Sequence, residues 1–308
     1  MNKRNIPVGV SDFSEIRQND YYYVDKSELI RELLKTSIAK VTLITRPRRF
    51  GKTLAMSMLA NFFDIRQKNE SLFQGLAVSS DSSFCKEWMN QWPVVFLSLK
   101  NIDGLTFSTA YQQLAYEIGL LFEKHNYLLV DKKISSVEKE LFERLKNRSA
   151  SEVEVSRSLQ FLLQLMMQHY GKSVIFLLDE YDVPLAKAST NGYYKEMLEI
   201  IRAMMSTSLK DNPSLCFAII TGCLRISKES IFTGTNNFVS DTITDSHLDE
   251  YFGFTQKDMD QLFADTDARD YADDIKNWYD GYHFGDFDVY CPWDVMNYLR
   301  DLQRNPKA

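Results

Sequence analysis

The sequence VTLITRPRRFGKTL, residues 41–54, decides the fold. Its first five residues are mainly apolar and β-branched, which predicts a strand, and the apolar spacing of the residues that follow predicts a helix. The loop between them ends in Gly51-Lys52-Thr53, the second half of a phosphate-binding loop of the form G-x-x-x-x-G-K-[ST]. Arg46 stands where that pattern has its first glycine. This stretch alone therefore predicts either a phosphate loop or a basic loop on a solvated edge.

The residue types at the end of this loop suit phosphate chemistry. Gly51 lets the backbone approach a phosphate without a Cβ in the way, and the N–H groups at a helix start have no intrahelical partner. Lys52 supplies positive charge to the outer phosphates, and the Thr53 hydroxyl is placed to bind Mg²⁺. The predicted nucleotide contacts are Arg46, Pro47, Arg48, Arg49, Phe50, Gly51, Lys52, Thr53 and Leu54.

A second motif, SVIFLLDEYDVPL at residues 173–185, follows much later in the chain. Its continuous apolar run predicts a central parallel strand that is covered on both faces. The run ends in Asp179 and Glu180, where ligands gather beside the carboxyl ends of parallel strands. We expect Asp179 to bind Mg²⁺ and Glu180 to orient or deprotonate the attacking water. The alternative is that both carboxylates only cap the following turn.

Two further segments supply candidate site residues. LCFAIITG, residues 215–222, predicts another buried strand, and Thr221 near its end could sense the γ-phosphate or the attacking water. Arg225 follows, either as a catalytic residue or as a surface salt-bridge residue. Near the N-terminus, the aromatic stretch at 21–24 could contact a nucleotide base or brace the edge of the sheet.

Length and charge indicate a large core followed by a smaller unit. The chain has 308 residues and a net charge of -6, which argues against a general nucleic-acid binder. Residues 241–290 hold 14 Asp or Glu against three Lys or Arg, and this segment is expected to form a separate unit. The predicted division is a core at 1–245, including the aromatic N-terminal segment, and a small, acidic, mainly helical lid at 246–308.

The cysteines and the apolar stretches favour a cytoplasmic protein. The four cysteines form no C-x-x-C pair and have no histidine at metal-ligand spacing, which predicts reduced, mostly structural thiols. The N-terminus has no apolar signal core. The most apolar helical stretch, LQFLLQLMMQ, is too short to span a bilayer.

Taken together, these motifs resemble those of the bacterial AAA-ATPase-like proteins. The resemblance is carried by TRPRRFGKTL, LLDEYDVPL, TGCLRIS with FTGTNNF, and WYDGYHFG with PWDVMNYL. It implies a three-layer α/β P-loop NTPase fold with a parallel central sheet of the additional-strand class. It also implies that Lys52 and Thr53 bind phosphate and Mg²⁺, and that Asp179 and Glu180 serve metal and water. RPRRFGK followed by Ser or Thr is the form this family shows, so Arg46 fits the resemblance.

The expected function is ATP binding with Mg²⁺-dependent hydrolysis coupled to a conformational change. The alternative is a nucleotide-gated binding switch with little turnover, acting on DNA or on a protein partner. An oligomer is possible, and no membrane association is expected. Family members often continue into a restriction-endonuclease-like nuclease domain, but no nuclease site is expected within these 308 residues.

Overall fold

The structure is a computed structural model that describes residues 4–35, 40–224, 226, 231–232 and 238–305. The helices are α1 Phe13–Gln18, α2 Leu29–Lys35, α3 Lys52–Phe63, α4 Glu70–Phe73, α5 Ser82–Trp88, α6 Phe107–Lys124, α7 Ser136–Lys146, α8 Glu152–Ser156, α9 Ser158–Tyr170, α10 Val183–Asn191, α11 Tyr194–Leu209, α12 Gln256–Thr266, α13 Ala272–Tyr279 and α14 Pro292–Arg304. The strands are β1 Val41–Thr45, β2 Val94–Ser98, β3 Val174–Asp179, β4 Leu215–Gly222, β5 Phe238–Asp241, β6 Phe254–Thr255, β7 Asp280–Phe284 and β8 Phe287–Tyr290.

The central sheet is parallel and has the strand order β2-β3-β4-β1-β5. Strand β4 lies between β1 and β3, with Leu43 opposite Ile220 on one side and Leu177 opposite Ile219 on the other. One strand is thus inserted between the strand before the phosphate loop and the strand that ends in Asp179. This is the additional-strand order that the family resemblance implies. It brings the carboxyl ends of three strands to one edge.

Side chains that alternate along the strands of the central sheet belong to two hydrophobic clusters, one on each face of the sheet. Phe176 and Leu178 of β3 join a cluster built with α6, α7 and α9 to α11. Ile175 and Leu177 of the same strand join the other cluster, which includes Phe13 of α1 and residues of α2 and α3. Every residue of β3 is buried, as the continuous apolar run predicts. The fold is therefore three-layered.

Residues 249–305, which we call the C-terminal unit, combine helices with a small sheet. Its three strands are antiparallel in the order β6-β8-β7, and α12, α13 and α14 pack around them. The small sheet was not predicted, and the division of the chain into a core and a lid stays a prediction. Ile6 and Tyr22 from the N-terminal segment pack into this unit's core. That segment therefore contacts both the large core and the C-terminal unit.

Across the described ranges, no helix combines the length and the apolar character that a bilayer span requires.

Candidate functional site

The predicted phosphate loop, residues 46–53, connects the end of β1 to the start of α3 and has two residues in the left-handed backbone region. Gly51 has φ +81°, a conformation that glycine adopts without a Cβ penalty. A Cβ built at Gly51 would meet no atom within 4 Å, so backbone conformation and not space requires glycine here. Arg49 has φ +72° although it is not glycine. A non-glycine residue held in this region stores strain of the kind that clusters at functional sites.

The Lys52 ammonium lies inside the loop. Its Nζ donates to the carbonyl oxygens of Arg46 at 3.0 Å and Pro47 at 2.9 Å. It also lies 3.3 Å from the Sγ of Cys223, which follows the end of β4. Lys52 is only 4% exposed, so the loop holds a desolvated positive charge at its centre. Phosphate oxygens are the chemical partners that such a charge favours.

Asp179 lies at the meeting point of three strands and the phosphate loop. Its Oδ2 accepts a hydrogen bond from the Thr53 hydroxyl at 2.8 Å, and its Oδ1 accepts one from the Thr221 hydroxyl at 2.6 Å. The Ser98 hydroxyl lies 3.5 Å from the same Oδ2. Asp179 is fully buried, so these hydroxyls offset the cost of burying its charge. Thr221 thus contacts the predicted metal residue directly.

Thr53 and Asp179 fit the requirements of a magnesium site. Mg²⁺ in nucleotide sites commonly takes one or two protein oxygens and completes its shell with waters and phosphate oxygens. The hydroxyl and the carboxylate are adjacent at 2.8 Å and lie beside the loop that carries Lys52. The donor set is therefore suitable for a hard cation bound together with a phosphate.

Glu180 follows the strand in a left-handed conformation, with φ +56°. Its side chain is half-buried and lines a cleft together with Lys52 and Thr53. Burial raises the pKa of its carboxyl, with Asp179 adding to the rise and Lys52 opposing it. A carboxylate with a raised pKa beside the phosphate loop is suited to accepting a proton.

The two residues after Glu180 hold the chain that follows β4. Asp182 accepts hydrogen bonds from the backbone N–H groups of Cys223 and Leu224. The Tyr181 hydroxyl donates to the Leu224 carbonyl at 2.8 Å and accepts from the N–H of Ile226 at 3.1 Å. The predicted catalytic residue Arg225 lies outside the described residues.

The sequence predicts a structural role for Asp182, the third acid of the DEYD motif, whereas the role of Tyr181 was not predicted. A Cβ added at Gly222 would lie 2.6 Å from Asp182 Oδ1 and from the Tyr181 ring, so only glycine fits there. Cys223 carries no local signal for its contact with Lys52. Asp241 at the end of β5 was also missed, because this four-residue strand was not predicted.

The predicted loop residues divide between those that face the cleft and those that are engaged elsewhere. Leu54 lines the cleft and Arg48 is exposed. Arg46 is fully buried and pairs with Asp241, and Phe50 is buried against the C-terminal unit. The Arg46 side chain is thus engaged away from the cleft, whereas Phe50 is buried and also lines the cleft; contacts of both residues with a nucleotide stay predictions.

Arg49 and Phe50 connect the loop to the C-terminal unit. The Arg49 guanidinium lies over the Trp293 ring, 5.3 Å from its centroid. The Phe50 ring packs edge-on against Tyr282 at 4.8 Å and is tilted against Phe284 at 5.0 Å, measured between ring centroids. The loop that would bind phosphate is therefore in direct contact with residues more than 200 positions later in the chain.

The cleft beside the phosphate loop has a volume of about 280 Å³. Tyr22 and Tyr23 of the N-terminal segment line it, as do Met58 of α3 and Trp293 of the C-terminal unit. The Tyr23 hydroxyl contacts Met58 Sδ at 3.2 Å, and the Tyr22 hydroxyl donates to Asp265 at 2.9 Å. The aromatic segment therefore braces the structure and also lines the cleft, whereas its contact with a base stays a prediction.

Comparisons with known proteins agree with this geometry. The family described as "Predicted AAA-ATPase" matches residues 7–232. An uncharacterized protein in the vnfD 5′ region of Azotobacter chroococcum mcd 1 is 30% identical over 308 residues, which cover 99% of this chain and 54% of the relative. The chain thus spans about half the length of this curated relative, and no solved structure matches it. The loop, the strand order and the family match lead to one conclusion: the chain belongs to the AAA-ATPase-like family.

Proposed function

We propose that this chain binds ATP with Mg²⁺ on the phosphate loop and hydrolyses it. The observation that carries the proposal is the hydrogen bond between Thr53 and Asp179, located beside the buried ammonium of Lys52. These three groups supply the hydroxyl, the carboxylate and the cation that phosphoryl-transfer sites of this class require. The family match supports the choice of a nucleotide as ligand.

Binding would use the loop backbone, Lys52 and the adjacent cleft. In the proposed complex, phosphate oxygens join the Arg46 carbonyl as partners of the Lys52 ammonium. The amide groups at the start of α3 point toward the same ligand. The cleft between the N-terminal segment and the C-terminal unit takes the base and the ribose, since its walls are largely apolar and aromatic.

Mg²⁺ would be held by Thr53 and Asp179. When bound, the ion neutralises part of the charge on the outer phosphates. Thr221 supports this arrangement because its hydroxyl fixes the second oxygen of Asp179. The two hydroxyls hold the carboxylate in one orientation, so little reorganisation is needed on binding.

Hydrolysis would depend on Glu180. Its carboxyl is half-buried, lines the same cleft as Lys52, and accepts no hydrogen bond from the part of the chain that the structure describes. It is therefore free to orient a water and to accept its proton. Arg225 remains our candidate for stabilising the charge of the transition state.

We infer that nucleotide binding is coupled to movement of the C-terminal unit. Arg49 and Phe50 belong to the phosphate loop and contact Trp293 and Phe284 of that unit. Any change in loop conformation on binding is transmitted directly through these contacts. The cleft also has walls from both units, so its occupancy affects both.

The second candidate function is a nucleotide-gated switch with little turnover, acting on DNA or a protein partner. The contacts of Arg49 and Phe50 favour it as much as they favour an ATPase, because gating requires only binding. The four cysteines are all free thiols, which supports a cytoplasmic location for either function. An oligomer is compatible with both.

Equilibrium binding and steady-state phosphate release, both measured with ATP and with GTP in the presence of Mg²⁺, separate the two candidates. An ATPase releases phosphate through many turnovers, whereas a switch binds nucleotide tightly with negligible release. Preference for one nucleotide in the same assay identifies the base. Absence of both binding and release for either nucleotide would reject the two candidates together.

A further inference from the structure

Arg46 occupies the loop position at which the phosphate-loop pattern has glycine, and it is the largest fully buried side chain of the described structure. A buried guanidinium is expensive unless it is paired and hydrogen-bonded. Its surroundings therefore show what this residue does in place of glycine.

Arg46 connects the beginning of the phosphate loop to β4 and β5, the two strands that flank β1. Its backbone N–H donates to the Gly222 carbonyl at the end of β4, at 3.1 Å. On the other side, its guanidinium Nη2 lies 2.5 Å from Oδ1 of Asp241, the last residue of β5. Its Nη1 donates to the carbonyl oxygens of Thr45 at 3.0 Å and Asp241 at 3.3 Å. The chain is thus fixed from two sides where it leaves the sheet.

The C-terminal unit closes the space around this ion pair. The Arg46 guanidinium carbon lies 5.3 Å from the centroid of the Phe252 ring and 5.5 Å from that of Phe284. These rings exclude water from the pair, and cation–π attraction adds to its stability. Both partners have side chains that are at most 2% exposed. Removing one partner alone would leave an uncompensated buried charge.

The carbonyl of Arg46 connects this pair to the loop lysine. Lys52 Nζ donates to that carbonyl at 3.0 Å, so the position of the Arg46 backbone determines where the ammonium rests. The ion pair with Asp241 holds the Arg46 backbone in place, although the pair itself lies outside the interior of the loop. A chain of contacts therefore runs from Phe252 and Phe284 through Arg46 to Lys52.

We propose that Arg46 is a positioning residue for the phosphate loop: paired with Asp241 beneath Phe252 and Phe284, it replaces glycine and sets the position of Lys52. The proposal rests on the proposed nucleotide-binding function and goes beyond it, because it assigns a role to two residues whose side chains do not line the cleft. In consequence, loop geometry depends on the docking of the C-terminal unit.

The test compares two ways of weakening the pair. The double variant Arg46→Met/Asp241→Asn removes both charges with little change in volume, which avoids an unpaired buried charge. Arg46→Lys keeps the charge but loses the planar fork that reaches two acceptors. The matched control is Arg66→Met/Asp64→Asn, which removes an Arg–Asp pair at the opposite end of α3.

Two measurements are made on each variant and on the wild type. Hydrogen exchange of loop peptides in the nucleotide-free protein reports loop positioning without any ligand. Titration calorimetry with ATP and Mg²⁺ reports the consequence for binding. Thermal unfolding establishes that each variant is folded.

We expect faster exchange in the loop and ATP affinity weaker by about tenfold in the double variant, the size of effect of one lost bond to a charged group. Arg46→Lys is expected to recover part of the loss, and the control pair is expected to change neither quantity. Wild-type exchange and affinity in folded Arg46→Lys and in the folded double variant would overturn the proposal. Unfolding of the double variant leaves Arg46→Lys as the deciding variant. A wild-type protein that binds no ATP would reject the proposed function instead, since the exchange measurement needs no nucleotide.

Discussion

The hydroxyl of Thr53 and the carboxylate of Asp179 are hydrogen-bonded at 2.8 Å, although the two residues are 126 positions apart in the chain. The contact joins the first turn of α3 to the end of β3. It forms because the order of the parallel sheet brings the carboxyl ends of β1, β3 and β4 to one edge. The loop and the acidic motif therefore constitute one site.

The Asp179→Asn variant tests the metal assignment. Mg²⁺ is expected to increase the ATP affinity of the wild type. Loss of the negative charge is expected to make this increase smaller by about tenfold or more. Binding of ATP without Mg²⁺ is expected to change much less. The comparison is made by titration with ATP in the presence of Mg²⁺ or of a chelator, with the exposed Asp103→Asn as control. An undiminished Mg²⁺ effect in folded Asp179→Asn would show that another residue binds the metal.

The Glu180→Gln variant tests the catalytic base. An amide cannot accept the proton of water, so turnover is expected to fall by roughly 10²–10⁴-fold while ATP binding is retained. Phosphate release and equilibrium binding are measured on the same preparation, and the exposed Glu87→Gln serves as control. Hydrolysis at the wild-type rate by Glu180→Gln would remove this residue from the mechanism.

The pH dependence of hydrolysis follows from the environment of Glu180. Burial raises the pKa of this carboxyl above its ordinary value of 4.5, and Arg48 counteracts part of the rise. The base must be ionised, so kcat/KM is expected to fall as the pH drops through this raised pKa. Arg48→Gln removes one of the charges that lower the pKa of Glu180. The fall of kcat/KM at acidic pH is therefore expected to begin at a higher pH in this variant. Two results would contradict this account: a wild-type kcat/KM that falls only at or below pH 4.5, or a fall that shifts to lower pH in Arg48→Gln.

Phe50 is the residue with which we test coupling between the phosphate loop and the C-terminal unit. Phe50→Leu reduces its contact with Phe284 and should lower the free energy of unfolding by roughly 1–2 kcal/mol. Phe142→Leu, a buried residue on α7 in the large core, should cause a similar loss of stability and is the matched control. We expect ATP to change hydrogen exchange in β7 and β8 in the wild type and in Phe142→Leu. This response should be weakened in Phe50→Leu.

A response in Phe50→Leu equal to that of the control would show that the coupling takes another route. Loss of the response in both variants would attribute it to stability and not to Phe50. Measurement in the wild type without ATP sets the baseline for all three proteins.

Much of the central sheet could be predicted because buried parallel strands have a strong local signal. Three largely apolar runs predicted β1, β3 and β4, and each of these strands is confirmed. Strand β5 has only four residues, and in the described structure it pairs with β1 alone. The small sheet of the C-terminal unit consists of strands of two to five residues with many aromatic and polar side chains. Such short strands depend on partners that a local pattern does not identify.

The candidate site divides in the same way. The proximity of Lys52, Thr53, Asp179 and Glu180 could be predicted because each belongs to a motif with a fixed position relative to a strand end. The ion pair between Arg46 and Asp241 could not, since the two residues are 195 positions apart and their pairing depends on sheet order. The sequence placed Arg46 among the nucleotide contacts because the motif covers it, whereas burial and Asp241 direct its side chain elsewhere.

The most direct test of the central claim is equilibrium binding of ATP with Mg²⁺ to the wild type and to Lys52→Ala. Lys40→Ala is the matched control, because Lys40 is exposed and immediately precedes the first residue of β1. We predict that the wild type and Lys40→Ala bind ATP with equal affinity and that folded Lys52→Ala shows no measurable binding. Equal binding by all three proteins, or none by the wild type, would contradict the assignment of residues 46–53 as a phosphate loop.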